Sequence, residues 1–200
     1  MARILQLEEK LAEIAGASTT PRLLLHCCCA PCASYVLEYL SPYFLITTLY
    51  FNPNIRPREE YDKRAGELSR LLLLTDYPNP VASLDAPYSA EMYDAAASAF
   101  WDEPEGGMRC RACIGLRLGQ TAEYAKSGGF DYFATTLTVS PHKDAAYINE
   151  TGSMLSEERG AAYLQSDFKK KDGYKRSVEL SKLYGLYRQS YCGCLAERRA

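Results

Sequence analysis

Arg22-Leu23-Leu24-Leu25-His26-Cys27-Cys28-Cys29-Ala30-Pro31-Cys32 is the stretch on which the reading of this chain turns. A short apolar run passes into a knot of cysteines, and Pro31 then stands where a helix N1 proline belongs. Such a continuous apolar run suits a strand buried on both faces, the kind found in parallel sheets. Residues 43–50 repeat the pattern with β-branched and aromatic side chains, Asn52-Pro53-Asn54 turns, and Pro57 opens an amphipathic helix to Leu74. Residues 81–84 read as a short strand, 89–100 as a helix, and 108–126 as a helix stopped by Gly128-Gly129. The clearest strand pattern is 130–139. Residues 142–151 and 157–160 read as two helices, 162–165 as a last strand and 173–184 as a helix, while 4–15 forms a helix ahead of them all. Strands alternating with helices imply right-handed crossovers and a parallel sheet flanked by helices. The expectation is a single α/β domain over residues 1–200, with its core at about 22–195.

Composition narrows the class. Of 200 residues, 47% are hydrophobic and 24% charged, which excludes a disordered chain. The longest aliphatic run, Leu71-Leu72-Leu73-Leu74, is far short of the ~20 residues a membrane span needs. Residues 1–20 carry no secretory apolar region, so a cytoplasmic protein is expected. Residues 167–200 hold nine basic and four acidic side chains, a net of +5 against −7 for the rest. With Tyr174, Tyr184, Tyr187 and Tyr191 among them, this segment suits a polyanion, phosphates on the cations and bases on the rings. A solvated helix face at residues 175–182 explains the same charges equally well.

The unusual number is eight cysteines, in three groups: Cys27, Cys28, Cys29 and Cys32; Cys110 and Cys113; Cys192 and Cys194. Vicinal cysteines make strained disulfide partners, and a chain of this length folds without staples. Clustered thiols then point to metal ligands or redox groups. Zinc takes four thiolates in a closed tetrahedron, and iron–sulfur clusters commonly take four as well. Position favours thiolates here. The first group ends a strand, where ligands bind in open α/β sheets. Cys110 and Cys113 fall on one face of a helix's first turn, whose dipole lowers thiol pKa. Cys27, one residue before Cys28 on an alternating strand, should face the core as a small hydrophobe.

The ordered motifs His26-Cys27-Cys28-Cys29-Ala30-Pro31-Cys32, Tyr50-Phe51-Asn52-Pro53-Asn54-Ile55, Arg109-Cys110-Arg111-Ala112-Cys113 and Tyr187-Arg188-Gln189-Ser190-Tyr191-Cys192-Gly193-Cys194 resemble those of the QueH family of epoxyqueuosine reductases. Thr135-Thr136-Leu137, Ser140-Pro141-His142-Lys143 and Ser166-Asp167-Phe168-Lys169 fit between them, so the resemblance spans roughly residues 22–195. It implies a cobalamin-independent oxidoreductase of the last step of queuosine biosynthesis, removing the epoxide oxygen at the wobble position of tRNA. The implied fold is similar to the adenine-nucleotide α-hydrolase (HUP) fold. Cys28-Cys29-Ala30-Pro31-Cys32 replaces the phosphate loop of its ATP-pyrophosphatase members, and no other phosphate motif occurs, so nucleotide hydrolysis is not expected.

By this resemblance Cys28, Cys29, Cys110 and Cys113 ligate a [4Fe–4S] cluster. Cys192 and Cys194, with Cys32 nearby, form a redox-active pair able to close a disulfide, or hold an additional iron or zinc ion. Asp167 is the candidate carboxylate of the site. Asp167, Tyr191 or His26 is expected to donate protons, or His26 to bond a cluster sulfur. Arg109, Arg111, Lys143 and Arg188 are candidates for phosphate or substrate contacts, and His142 reads as the start of a helix. The implied partners are tRNA carrying epoxyqueuosine and an unidentified electron donor, with no membrane. Two other readings use the same residues: a zinc-stabilised RNA-binding module, and a thiol–disulfide oxidoreductase working through Cys29-Ala30-Pro31-Cys32.

Overall fold

The computed structural model describes residues 2–194; Arg198 and Arg199 of the basic C-terminal stretch lie outside them. Five parallel strands form one sheet in the order β3-β2-β1-β4-β5: β1 (Arg22–His26), β2 (Leu45–Tyr50), β3 (Val81–Asp85), β4 (Tyr132–Thr135) and β5 (Ala162–Tyr163). The helices are α1 (Ala2–Ala15), α2 (Ala30–Leu40), α3 (Arg58–Leu74), α4 (Ala90–Ala97), α5 (Met108–Ser127), α6 (Ala145–Arg159) and α7 (Gly173–Leu183). This is the α/β architecture expected, consistent with a HUP-like fold. Among the described residues no helix is long and apolar enough to cross a membrane.

The alternation of β1 distributes its side chains between two cores. Leu23, Leu25 and Cys27 pack into one layer with residues of α1, α2 and α3, while Leu24 faces the other with Leu118 and Ala122 of α5 and Ile148 of α6. The strand order reverses between β1 and β4, whose neighbours lead outward in opposite directions, and their carboxyl ends open a crevice at that point. β1 runs out there into the cysteine knot. Cys29 caps α2, and Pro31 occupies its second helical position, where a missing N–H costs nothing.

Two expectations change. The strand predicted over 130–139 leaves the sheet after Thr135 and turns through a 3-10 segment, Thr136–Val139. The cause is local: Thr135 Oγ1 accepts from Leu137 N at 3.2 Å, competing with the ladder. The two helices predicted over 142–151 and 157–160 are one, α6. It starts at Ala145 because Asp144 caps it, accepting from the Ala146 and Tyr147 amides, which leaves His142 in the preceding turn. Gly152 does not interrupt it. A Cβ at Gly152 would lie 2.4 Å from Cε1 of Tyr163, so glycine is there for close helix–strand packing.

Candidate metal and redox site

Cys28, Cys29 and Cys32 present their sulfurs at the sheet's switch point, all within 4.8 Å of one another and thus able to hold a metal ion. Cys27 is fully buried in the opposite layer, as alternation requires. Thr136, delivered by the turn after β4, accepts from the Cys28 amide at 3.1 Å and donates to its sulfur at 3.5 Å. The thiols of Cys29 and Cys32 also donate to Cys28. With Arg117 nearby they hold it well below the ordinary thiol range despite burial. Cys29 is correspondingly pushed up to about 12, and Cys32 is raised by the same contacts. Of the three, Cys28 is the thiol the knot biases toward the thiolate, the form that binds metal.

The second and third cysteine groups meet on α5. Cys113 packs with Tyr93 and Ala97, and Cys194 lies against that cluster. Cys110 accepts from the Gly106 amide at 3.2 Å. Cys192 and Cys194 stand 3.4 Å apart as free thiols. Donation from Cys194, reinforced by the Lys143 ammonium, lowers Cys192 to about 5 against the cost of burial. The segment carrying this pair is tied down from α3. Arg70 donates to the Tyr184 and Gly185 carbonyls, and Glu67 accepts from the Tyr187 amide at 2.7 Å. The Arg70 guanidinium also keeps the Glu67 carboxyl below its ordinary value. Gly193 rests on Ile55, where a Cβ would come within 2.9 Å of Cγ1, so a side chain there would lift both cysteines.

A cavity of about 570 Å³ opens between these parts. Cys28, Cys29, Cys32 and Cys192 line it, together with Arg117, Lys143, Tyr174, Arg188 and Tyr191. Cys110 and Cys113 do not; Cys110 faces a small pocket beside His142 and Lys143. Among the described residues, Cys28, Cys29 and Cys32 form the group of three sulfurs close enough together for one ion. A cluster binds its thiolates at separate corners and takes a wider set.

Several candidates change character. Both ring nitrogens of His26 are engaged, Nδ1 with Thr135 Oγ1 at 2.8 Å and Nε2 with the Phe51 carbonyl at 3.1 Å. Because the Phe51 carbonyl can only accept, Nε2 carries the proton and Nδ1 accepts from the Thr135 hydroxyl. Burial, then Arg117, lowers His26 to about 3, so it is a neutral brace and neither a proton donor nor a partner of sulfur. Asp167 is absent from the cavity wall, its Oδ1 3.4 Å from Lys169 Nζ. Arg109 is buried, donating to the Trp101 carbonyl, which removes it as a phosphate contact. Cys29, only 3% exposed, is poorly placed as the attacking thiol of an exchange motif.

Sequence reasoning missed Arg117. It lies one helical turn after Cys113, 5% exposed, and donates to Asn52 Oδ1 at 2.5 Å and toward Cys113 Sγ at 3.9 Å. Its spacing from Cys113 was the available signal, but an arginine on an amphipathic helix ordinarily reads as solvent-facing. Among the described residues no carboxylate pairs with it; the charges near it are those of Cys113, Cys28 and Cys192. A buried cation whose nearby charges are those of thiols suits a site that concentrates thiolate charge, and an all-sulfur donor set suits iron–sulfur or zinc. The residues therefore fit a thiolate-bound metal group.

A family model described as "Epoxyqueuosine reductase QueH" matches residues 23–199. Among curated proteins, the epoxyqueuosine reductase QueH of Streptococcus pyogenes is 43% identical over 195 residues, covering 96% of this chain and 76% of that protein. The protein of the same name from Staphylococcus epidermidis is 41% identical over 181 residues, covering 88% and 75%. That of Thermotoga maritima is 33% identical over 183 residues, covering 88% and 92%. With matches of this extent over the strands, the cysteine groups and the cavity, the chain belongs to the QueH family of epoxyqueuosine reductases.

Proposed function

We propose that this chain reduces epoxyqueuosine to queuosine at the wobble position of tRNA, acting in the cytoplasm as one catalytic domain. The observation that carries the reading is a cavity of nucleoside size walled by thiols from both ends of the chain, Cys28, Cys29 and Cys32 against Cys192, in a member of this family. Leaving an alkene where the epoxide stood breaks two C–O bonds, consumes two electrons and two protons, and releases water. Cys28, Cys29, Cys110 and Cys113 are the proposed ligands of a [4Fe–4S] cluster, and Cys32 with Cys192 and Cys194 the proposed second redox or metal element. When bound, the cluster supplies electrons singly and an adjacent iron or zinc ion supplies a Lewis acid for the epoxide oxygen. Closing a disulfide between the Cys192 thiolate and the Cys194 thiol releases two electrons and one proton; the second proton comes from the cavity wall or solvent, and an external reductant restores the reduced pair. Lys143 lines the cavity; the charges of Cys192, Cys110 and Glu105 outweigh burial and hold its ammonium, which places a proton donor on the wall. Asp167, beside Lys169, remains the proposed carboxylate of the site.

The mouth of the cavity supports tRNA as the partner. Tyr174 and Tyr191 are 39% and 38% exposed, and each is flanked by a guanidinium, Arg188 at 5.2 Å and Arg64 at 5.3 Å from the ring centroids. Lys63 Nζ sits 3.5 Å over Tyr187. Rings of this kind stack unpaired bases while exposed cations such as Arg188 meet phosphates; Arg64, buried against Glu60, serves only to hold Tyr191. Arg188→Gln is expected to weaken tRNA binding several-fold and to lower the slope of log K against log salt by about one. Filter binding across a salt series reads both.

The activity itself is tested with protein purified without oxygen, a chemical reductant and tRNA carrying epoxyqueuosine. The expected product is a nucleoside lighter by one oxygen, detected by mass spectrometry after digestion. No mass change with iron-replete protein overturns the reaction. A colourless protein holding one zinc would favour the RNA-binding module instead.

A further inference from the structure

We propose that Arg117 is a positioning residue that holds the negative charge of the cysteine groups and thereby sets the reduction potential of the cluster they bind. The proposal rests on the cluster reading given above. Arg117 stands where the groups converge. It rises from α5 one turn after Cys113, lines the same cavity as Cys28 and Cys192, and is locked from two other elements. Its Nη2 donates to Asn52 Oδ1, and Asn52 in turn donates through Nδ2 to the Cys27 carbonyl at 2.9 Å, clasping the loop after β2 to the end of β1. Nη1 points to Cys113 Sγ at 3.9 Å, and Nε lies 3.4 Å from His26 Nε2.

Nη2 is engaged by Asn52 and Nη1 by Cys113, while Nε faces His26 Nε2, so Arg117 is a positioning group and not a substrate contact even though it reaches the cavity wall. His26 cannot share the charge, being held neutral by its own hydrogen bonds, and the described residues bring no carboxylate to it. An uncompensated cation in a dry site is costly unless an anion arrives. Four thiolates on a [4Fe–4S]²⁺ core carry a net charge of −2, and one electron from a reductant makes it −3. A fixed positive charge stabilises the more negative state and raises the potential, the more strongly because burial weakens screening. Charge is the operative property, so lysine should replace arginine here and glutamine should not.

The test compares wild type, Arg117→Lys and Arg117→Gln, purified without oxygen and reconstituted with iron and sulfide. Iron and sulfide content is measured, and the reduced fraction is read by electron paramagnetic resonance at one dithionite-mediated poise. At the poise that half reduces the wild-type cluster, Arg117→Lys is expected to stay close to half reduced. Arg117→Gln is expected to show a reduced-to-oxidised ratio about tenfold lower, which for one electron is about 59 mV. Its KM for tRNA should stay unchanged while kcat falls. Should Arg117→Gln fail to hold the cluster, retention by Arg117→Lys supports the charge role in the same way. The proposal is overturned if cluster-replete Arg117→Gln matches wild type in reduced fraction, or if both variants lose the cluster alike, which marks a packing role. A wild-type protein that binds no cluster refutes the cluster reading instead, so the two failures are distinguishable.

Discussion

Cys28→Ala protein purified without oxygen is expected to emerge colourless, with iron near background and epoxyqueuosine in tRNA left untouched, while Cys27→Ala one residue earlier keeps colour and turnover. The two thiols differ in chemistry because they differ in direction. Cys28 follows Leu24 and His26 on the face of β1 that meets α5, where donation from Cys29 and Cys32, with Arg117 and Thr136 behind it, holds its thiol well below the ordinary range. Cys27 follows Leu23 and Leu25 into the opposite core, and burial raises its thiol well above the ordinary value. Deleting the Cys28 sulfur removes a donor at the centre of the group and leaves Arg117 with one less charge to answer it. Loss of outer-shell partners alone lowers metal affinity by about 10–100-fold, so loss of a ligand should exceed that. Deleting the Cys27 sulfur empties the volume of one buried heavy atom, at about 1 kcal/mol. Iron and sulfide analysis, the visible spectrum and a urea melt separate the effects. Loss of iron from Cys27→Ala with retention in Cys28→Ala would mean that the ligand register is shifted by one residue.

That contrast was readable from sequence because strand alternation depends on nothing but position along β1. The sheet was readable for the same reason: apolar runs of strand length, each followed by helix punctuation, leave little choice of topology. What escaped depended on contacts between distant elements. Thr135 and Thr136 carry the β-branched signature of a strand, yet their hydroxyls serve Leu137 N, His26 and Cys28, and the chain leaves the sheet to make those bonds. The two helices expected at 142–151 and 157–160 join through Gly152, and the reason for a glycine there, the ring of Tyr163, lies eleven residues on in another element. Arg117 is the largest omission. Its solvent-like residue type hid a burial imposed jointly by Asn52, His26 and Cys113, which sit on three different elements.

Cys192→Ser and Cys194→Ser are each expected to lower turnover at least about 10³-fold, as removal of either member of a catalytic unit does elsewhere. The sequence offered two roles for this pair, and the geometry favours electron storage. Two free thiols 3.4 Å apart, one of them lowered to about 5 by the other, are a nucleophile and its partner poised to form a bond. Lys143 beside them stabilises the thiolate, and Gly193 between them sits tight on Ile55, which fixes the spacing. Serine preserves shape but cannot release electrons, so both variants should keep their cluster iron and the same KM for tRNA while kcat collapses. A single turnover without external reductant provides the direct readout. Wild-type protein reduced, freed of reductant and mixed with substrate should convert about one equivalent and lose two alkylatable thiols, recovered by a dithiol reductant. If all thiols remain alkylatable after turnover, and each serine variant instead loses one equivalent of bound iron, the pair is a metal-ligand set and the second electron comes from that iron. The serine variants thus decide between the roles on two independent counts, thiols and metal, and neither count relies on activity alone.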